Sequence, residues 1–349
     1  MAFKAQIIAD SISMEDFRIT TFEATMPRII LAELNTHRDF SRNSASTRAI
    51  MTTTLLENVL REPFIPEKFG VNQPGMQAFS HLAGLRHDEA VERWLAGLGR
   101  AATTVIELLI GTKESAKLFG YNPSREYVDH STILGKLDEL KQTIPKSTES
   151  IDPTDTRLNV HKQLAGRHLE TYSWQTVIIT ATELTNFFKL RDHADAQGEI
   201  ATIARMMRQV YAESTPRYRT ANDWHTPYVE DDEFPTIEER LMASTSRCAA
   251  VSYLRQDRKD PEKDRRRYDK LRQSGHWSPF EHQAKPMSLA EWQARQNLIL
   301  DATARDMLFT IDDDIISDIQ QSLEKSANYR GWVSQRRHIE RQTGTVVVR

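Results

Sequence analysis

Two short runs near the start of the chain, Gln6-Ile7-Ile8-Ala9 and Arg18-Ile19-Thr20-Thr21-Phe22, are β-branched and bounded by polar turns, which predicts two strands within residues 3–25. Pro27 suits a first helical position, and Ile29, Ile30, Ala32 and Leu34 give a short helix its apolar face before Asn35-Thr36 breaks it. Ile50, Leu55, Val59 and Leu60 predict a second helix. Val91, Trp94, Leu95, Leu98, Ala102, Val105 and Leu109 predict a long third one, after a loop at 63–86 that contains Pro and Gly. Helical spacing returns at about 157–169 and 193–214. Between them, Thr176-Val177-Ile178-Ile179-Thr180 reads as a strand. The last third reads as mostly helical, and no repeat or low-complexity tract interrupts the pattern. The expected class is α+β, a small mixed or antiparallel sheet with long flanking helices.

A chain of 349 residues, 39% of them hydrophobic, can bury a large core. We expect one elaborated catalytic domain over 1–349, with the Lys-, Thr-, Ser-, Asp- and Pro-rich segment 140–156 as a linker between 1–139 and 157–349. The 46 basic and 49 acidic residues are spread along the chain and sum to −3, so no global field draws nucleic acid or membrane. Any bound anion must be held by a local site. No apolar run suits a signal peptide or a membrane span, so a cytoplasmic protein is expected. Cys248, the only cysteine, excludes an internal disulfide framework and cysteine-built metal clusters.

The segment Thr36 to Arg48 concentrates three arginines, four hydroxyl side chains after Arg38 and one amide just before a predicted helix. That composition fits an anion site. Ser46 or Thr47 can cap the helix, while Arg38 and Arg48 grip phosphate oxygens. An ordinary capping loop has a similar composition, and spacing is what adds specificity. His37, Arg38, Ser41, Asn43, Ser46 and Arg48 follow His-Arg-x-x-Ser-x-Asn-x-x-Ser-x-Arg, which resembles the signature of flavin-dependent thymidylate synthases. The resemblance implies that His37 and Arg38, with Ser41 and Asn43, face the flavin, and that Ser46 and Arg48 hold the phosphate of dUMP. Thr36 and Ala49 stand where the family has Arg and Tyr. Glu33, four residues before His37, is placed as a hydrogen-bond acceptor for ligand or loop.

Arg191 is expected at the entrance of a helix whose apolar positions are Ala196, Ile200, Ile203, Met207 and Val210. Taken alone, it reads as the partner of Asp195 in a surface i,i+4 pair. Asn186-Phe-Phe-Lys-Leu-Arg191 followed by Ala196-Gln-Gly-Glu-Ile200 is similar to a second block of the same family. The resemblance gives Arg191 the uracil ring, Asn186 a place against the flavin, and Arg167 of the upstream block Gln163 to Tyr172 a phosphate. Asp195 replaces a family histidine. Arg191 and Ser46 are the candidate catalytic residues.

Gly275-His-Trp-Ser-Pro-Phe-Glu-His282 has possible metal ligands in His276, Glu281 and His282, but their spacing, with Pro279 between, does not set them on one helix face. A structural Ser-Pro turn is the plain alternative. The block resembles the family's His-x-(Ser/Thr)-Pro-Phe-Glu-His, which implies flavin contacts for His276, Ser278 and Glu281. Arg247-Cys-Ala-Ala-Val-Ser-Tyr253 resembles the stretch that precedes it, with Ser252 at its serine. In ordinary members this block comes before the signature, whereas here it follows by more than two hundred residues. Circular permutation, or segment exchange between the subunits of a homotetramer, accounts for that order. The mixed charges of Arg255 to Arg267 suit a solvated helix, and Trp224 to Tyr228 and Tyr329 to Trp332 suit buried anchors more than stacking platforms.

Together the resemblance implies FAD as cofactor, NADPH and methylenetetrahydrofolate as co-substrates, and methylation of dUMP to dTMP. Two alternatives stand beside it: C5 hydroxymethylation of dUMP or modification of dCMP, and a non-catalytic nucleotide-binding protein.

Overall fold

The computed structural model describes residues 2–75, 77–144, 157–251, 259–294, 297 and 325–343. Five strands form the main sheet: β1 Lys4–Ser13, β2 Arg18–Pro27, β3 Ser41–Ser44, β4 Trp174–Ala181 and β5 Arg217–Arg219, in the order β3-β4-β2-β1-β5. Only the β1–β5 pair is parallel; the others are antiparallel. The α+β expectation holds, and the first two strands and β4 lie where their β-branched runs place them.

Pleating gives each face of the sheet its own chemistry. Phe22, Ala24 and Met26 of β2 and Val177, Ile179 and Ala181 of β4 turn to one face. They pack there on Ile200, Ile203, Ala204 and Met207 of helix Gly198–Glu213. The opposite face is polar and equally buried. Thr21 and Thr180, paired in register, hydrogen-bond at 2.7 Å, and Thr25 and Thr176 at 2.9 Å. A half-solvated sheet would put such residues in water, but here the C-terminal third of the chain covers them. His225 Nε2 lies 2.8 Å from Thr21 Oγ1, His282 Nδ1 lies 2.8 Å from Thr180 Oγ1, and His225 Nδ1 lies 2.9 Å from Ser11 Oγ. Apart from Thr176, which is half-buried, these side chains are buried, and each hydrogen bond spares the cost of an unpaired polar group.

Helices Thr52–Arg61, Leu85–Ile110, Thr112–Phe119, His130–Gly135 and Leu137–Thr143 build a second core around Leu56, Leu98, Ala102, Val105 and Ile106. The tail of the signature segment, Ala45 and Ile50, is anchored in that core. The expected linker 140–156 begins inside the last of these helices, and 145–156 lie outside the described residues. Residues 157–169, read as one helix, form instead the single turn Lys162–Ala165 and a 3-10 stretch to Tyr172.

The last third is less helical than its pattern suggests. Helices Ile237–Val251 and Pro261–Gln273 are followed by Ala284–Pro286, which pairs with Trp332–Ser334, and by a small hairpin at Lys325–Ser326 and Tyr329–Arg330. A final helix spans Gln335–Thr343. At Gly331, φ is +74°, and a Cβ there would lie 2.5 Å from the Phe17 ring, so only glycine lets this turn seat on the β1–β2 hairpin. The helix Pro261–Gln273 is not wholly solvated as read, for Asp264 is buried with Arg247 at 3.0 Å and Ser246 at 2.8 Å. Tyr329 and Trp332 are the buried anchors expected of them.

Burial pushes both His225 and His282 down to about 3, from the ordinary 6.5 that they regain on unfolding. Because the folded value is the lower one, their contribution to stability is full above about pH 6.5 and is lost as pH falls towards 3. Denaturant titrations across this window should show stability falling by up to about 3 kcal/mol per pH unit, and His225→Gln should make the fall shallower. A flat profile would show that the two imidazoles are not held neutral.

Candidate active site

The signature segment leaves the short helix Leu31–Leu34, turns, and joins the sheet as edge strand β3 beside β4. Arg42 closes the turn by donating from Nη1 to the carbonyls of Leu34 and His37, each at 3.1 Å. Pairing of Ser41 with Thr180 and Asn43 with Ile178 directs both side chains to the face that the C-terminal segment covers. There Asn43 donates to the Cys248 carbonyl at 2.9 Å, and Ser41 accepts from Asn328 at 3.2 Å.

Beyond β3 the chain straps across the surface, and the expected cap fails. The helix starts only at Thr52 with Met51 as its cap residue and no capping side chain. Ser46 instead accepts from the Arg48 backbone N–H at 3.3 Å, and Thr47 donates to Glu170 at 2.9 Å. The strap therefore presents Ser46 and Arg48 as side chains, without a helix N-terminus behind them.

Across from this strap lies the third block. Its 3-10 turn Ser278–Glu281 buries Pro279 and Phe280 and leaves His276 and Ser278 exposed. Between the two runs a cleft of about 1200 Å³, lined by Arg38, Asn43, Ser46 and Arg48 on one side and by His276, Ser278 and Glu281 on the other. Seven of the expected site residues thus meet in one place although the two segments are more than two hundred positions apart. Arg38, Arg42, Arg48, Lys162 and Arg336 line the cleft against one carboxylate, Glu281, among the described residues. Arg38 and Arg48 are exposed and, among the described residues, their guanidinium groups have no hydrogen-bond or ion-pair partner, so these donors face the cleft uncommitted.

The second block does not reach it. Arg191 closes its own helix, Thr185–Arg191, and the helix carrying Ile200 to Val210 begins only at Gly198. Buried Asp192, which binds Arg205 and Arg208, occupies the break. Arg191 does not pair with Asp195. Its guanidinium forms an ion pair with Glu33, donates from Nε to His37 Nε2 at 3.0 Å and from Nη2 to Thr36 Oγ1 at 3.2 Å. Glu33 is therefore engaged by Arg191. Thr36, where the family has arginine, supplies the acceptor that receives Arg191. His37 sits between the Phe40 and Phe187 rings, and its pKa is lowered by burial first and then by Arg191 and Arg42. A neutral ring with its proton on Nδ1 satisfies the Arg191 contact.

Of the remaining expected residues, Asn186 is exposed away from the cleft and Arg167 pairs with Glu170 at 3.1 Å. Ser252 lies outside the described residues. The turn before Arg167 offers Lys162 and Gln163 to the cleft in its place. Lys162, Asn328 and Arg336 were not expected. Gln163 opened a block that was read for its arginine, and Arg336 reaches the cleft only through the pairing of Trp332–Ser334 with Ala284–Pro286, a contact that leaves no periodic trace in sequence.

A family model described as thymidylate synthase complementing protein matches residues 13–217, more than half of the chain. The chain belongs to that family. These are the flavin-dependent thymidylate synthases, so membership implies a thymidylate-synthase-like enzyme and suggests FAD. No curated protein matches the chain. The matched span holds the signature and second blocks, while the third block and Arg336 fall beyond it.

Replacing Arg191 by Met would remove the hydrogen bond to His37 and the second cause of its lowered pKa. His37 should then titrate closer to its ordinary value when its imidazole resonances are followed by NMR. An unmoved titration would show that burial alone sets it.

Proposed function

We propose that the cleft binds FAD and a pyrimidine nucleotide together, and that the enzyme methylates dUMP to dTMP with methylenetetrahydrofolate and NADPH. The observation that carries this reading is the meeting of the signature strap and the third block across one cationic cleft. Its volume exceeds the roughly 300–1,000 Å³ of an ordinary small-molecule site, which leaves room for a dinucleotide cofactor beside a substrate. Its uncommitted arginines suit the phosphates that both ligands carry.

In this reading FAD, when bound, supplies the reducing equivalents for converting the one-carbon unit to a methyl group. The protein binds and orients. Ser46 and Arg48 fix the nucleotide phosphate from the strap, and Arg167 joins them when its guanidinium leaves Glu170 for the phosphate. His37, Arg38, Ser41, Asn43, Asn186, Ser252, His276, Ser278 and Glu281 serve the flavin, some by contact and others, such as Ser41 and Asn43, by fixing the strand that carries the contacts. Arg191 polarises the pyrimidine ring, for which its side chain leaves Glu33 and His37 and turns towards the cleft. No enzyme thiol is required, in keeping with the burial of Cys248.

The order of the blocks is read as a circular permutation of the thymidylate synthase complementing protein fold. Its support is that the third block, late in the chain, packs against β3 and, through His282 and Thr180, is tied to β4. The active assembly is read as a homotetramer, with exposed Met51 and Leu164 as apolar contacts near the strap. The protein is read as cytoplasmic; among the described residues no helix is long and apolar enough to cross a membrane.

Visible absorbance of the protein titrated with FAD and then with dUMP tests the cofactor and the substrate together. A bound-flavin spectrum that shifts with dUMP is expected, with a product heavier than dUMP by one methylene, and Arg191→Ala should abolish turnover. A product carrying a further oxygen, or turnover of dCMP, replaces the reaction by the hydroxymethylating or cytidylate-modifying one. No response to either ligand leaves a non-catalytic nucleotide-binding protein.

A further inference from the structure

We infer that Arg336 is a positioning residue of this cleft, reaching in from the last described helix to hold the Glu281 carboxylate against a bound ligand. The inference rests on the reading of the cleft as the flavin site. Arg336 and Glu281 both line it, and Arg336 Nη1 donates to Glu281 Oε1 at 2.6 Å. On its other edge Arg336 Nε donates to Glu340 Oε1 at 3.3 Å, and the second oxygen of Glu340 accepts from Arg337 at 2.8 Å. Both partners of the Arg336–Glu281 pair are largely shielded from water, with side-chain exposure of 12% for Arg336 and 15% for Glu281.

The same segment also grips the backbone around Glu281. The Tyr329 hydroxyl donates to the Glu281 carbonyl, and the Gln335 N–H donates to the Gln283 carbonyl at 2.8 Å. Glu281 is therefore fixed through backbone and side chain by residues 329–336. Its second carboxylate oxygen has no partner among the described residues, so it is left as an acceptor for a ligand hydroxyl or N–H. A carboxylate already locked by a guanidinium accepts such a bond without the loss of rotamer freedom that an unheld glutamate pays. Arg336 lies beyond the family-matched span 13–217, so the device belongs to the C-terminal segment of this chain.

The test is FAD affinity of the full-length protein, freed of flavin and titrated by quenching of flavin fluorescence, with melting temperature as the check on folding. Arg336→Met and Glu281→Ala should each weaken binding about tenfold or more. The double variant should bind no worse than the weaker single one, because Arg336 acts through Glu281. Arg336→Lys keeps one donor for Glu281 and should recover most of the affinity, which also covers the case in which the Met variant does not fold. Unchanged affinity in Arg336→Met overturns the inference, and so does a further loss of the same size when that substitution is added to Glu281→Ala. Wild-type protein that takes up no FAD overturns the reading of the cleft and this inference with it, whereas wild-type binding matched by Arg336→Met overturns the inference alone.

Discussion

His225, Thr21, Thr180 and His282 form one hydrogen-bonded chain through the buried polar face of the sheet, and the placement of the third block depends on it. Each hydroxyl has one proton to donate and each neutral imidazole one, so every link can be satisfied without a buried charge. Removing one link leaves a polar atom buried with no partner, at a cost of about 1–3 kcal/mol. The same face also buries two apolar clusters beside the threonines, Ile178 with Cys248 and Val251, and Ile19 with Ala284, Tyr329 and Trp332. Packing of Phe280 and Ala284 seats the third block, and the directional bonds fix where His282, and with it Glu281, comes to rest.

The cleft inherits its geometry from that arrangement. Its strap wall hangs between two cores: Ser41 and Asn43 are tied to the sheet and its C-terminal cover, while Ala45 and Ile50 are sunk among the helices. Its opposite wall is fixed by His282 below and by the Tyr329 to Gln335 segment behind. The side chains that face the cleft are thus mounted on backbone held at several points, which is what a site for two ligands at once requires.

Much of this was legible in sequence. The β-branched runs located β1, β2 and β4, and the spacing of Leu98, Ala102 and Val105 located the longest helix. The signature and third blocks named seven residues that the fold gathers in one cleft. What stayed hidden were contacts between distant positions. Nothing local reveals that Glu33 is the counter-ion of Arg191, since the two are 158 positions apart. The apolar spacing of Ile200 to Val210 ran back past Ala196 and hid a break, because buried Asp192 is a tertiary feature. Thr21 looked like an ordinary strand residue, and its burial follows only from a covering segment two hundred positions later. The last third looked helical because two- and three-residue strands are too short to show a period.

The imbalance of charge around the cleft has a consequence for the ligand-free protein. Arg38, Arg48 and Lys162 converge there, with Glu281 the one carboxylate in the lining among the described residues, so like charges are held together by a scaffold that has no local reason to favour them. In energetic terms their mutual repulsion is a local frustration that the rest of the fold sustains. A multivalent anion relieves it irrespective of its identity. Phosphate or sulfate in the buffer should therefore compete with the nucleotide and at the same time steady the free protein, so the composition of the medium sets part of the apparent affinity of the site.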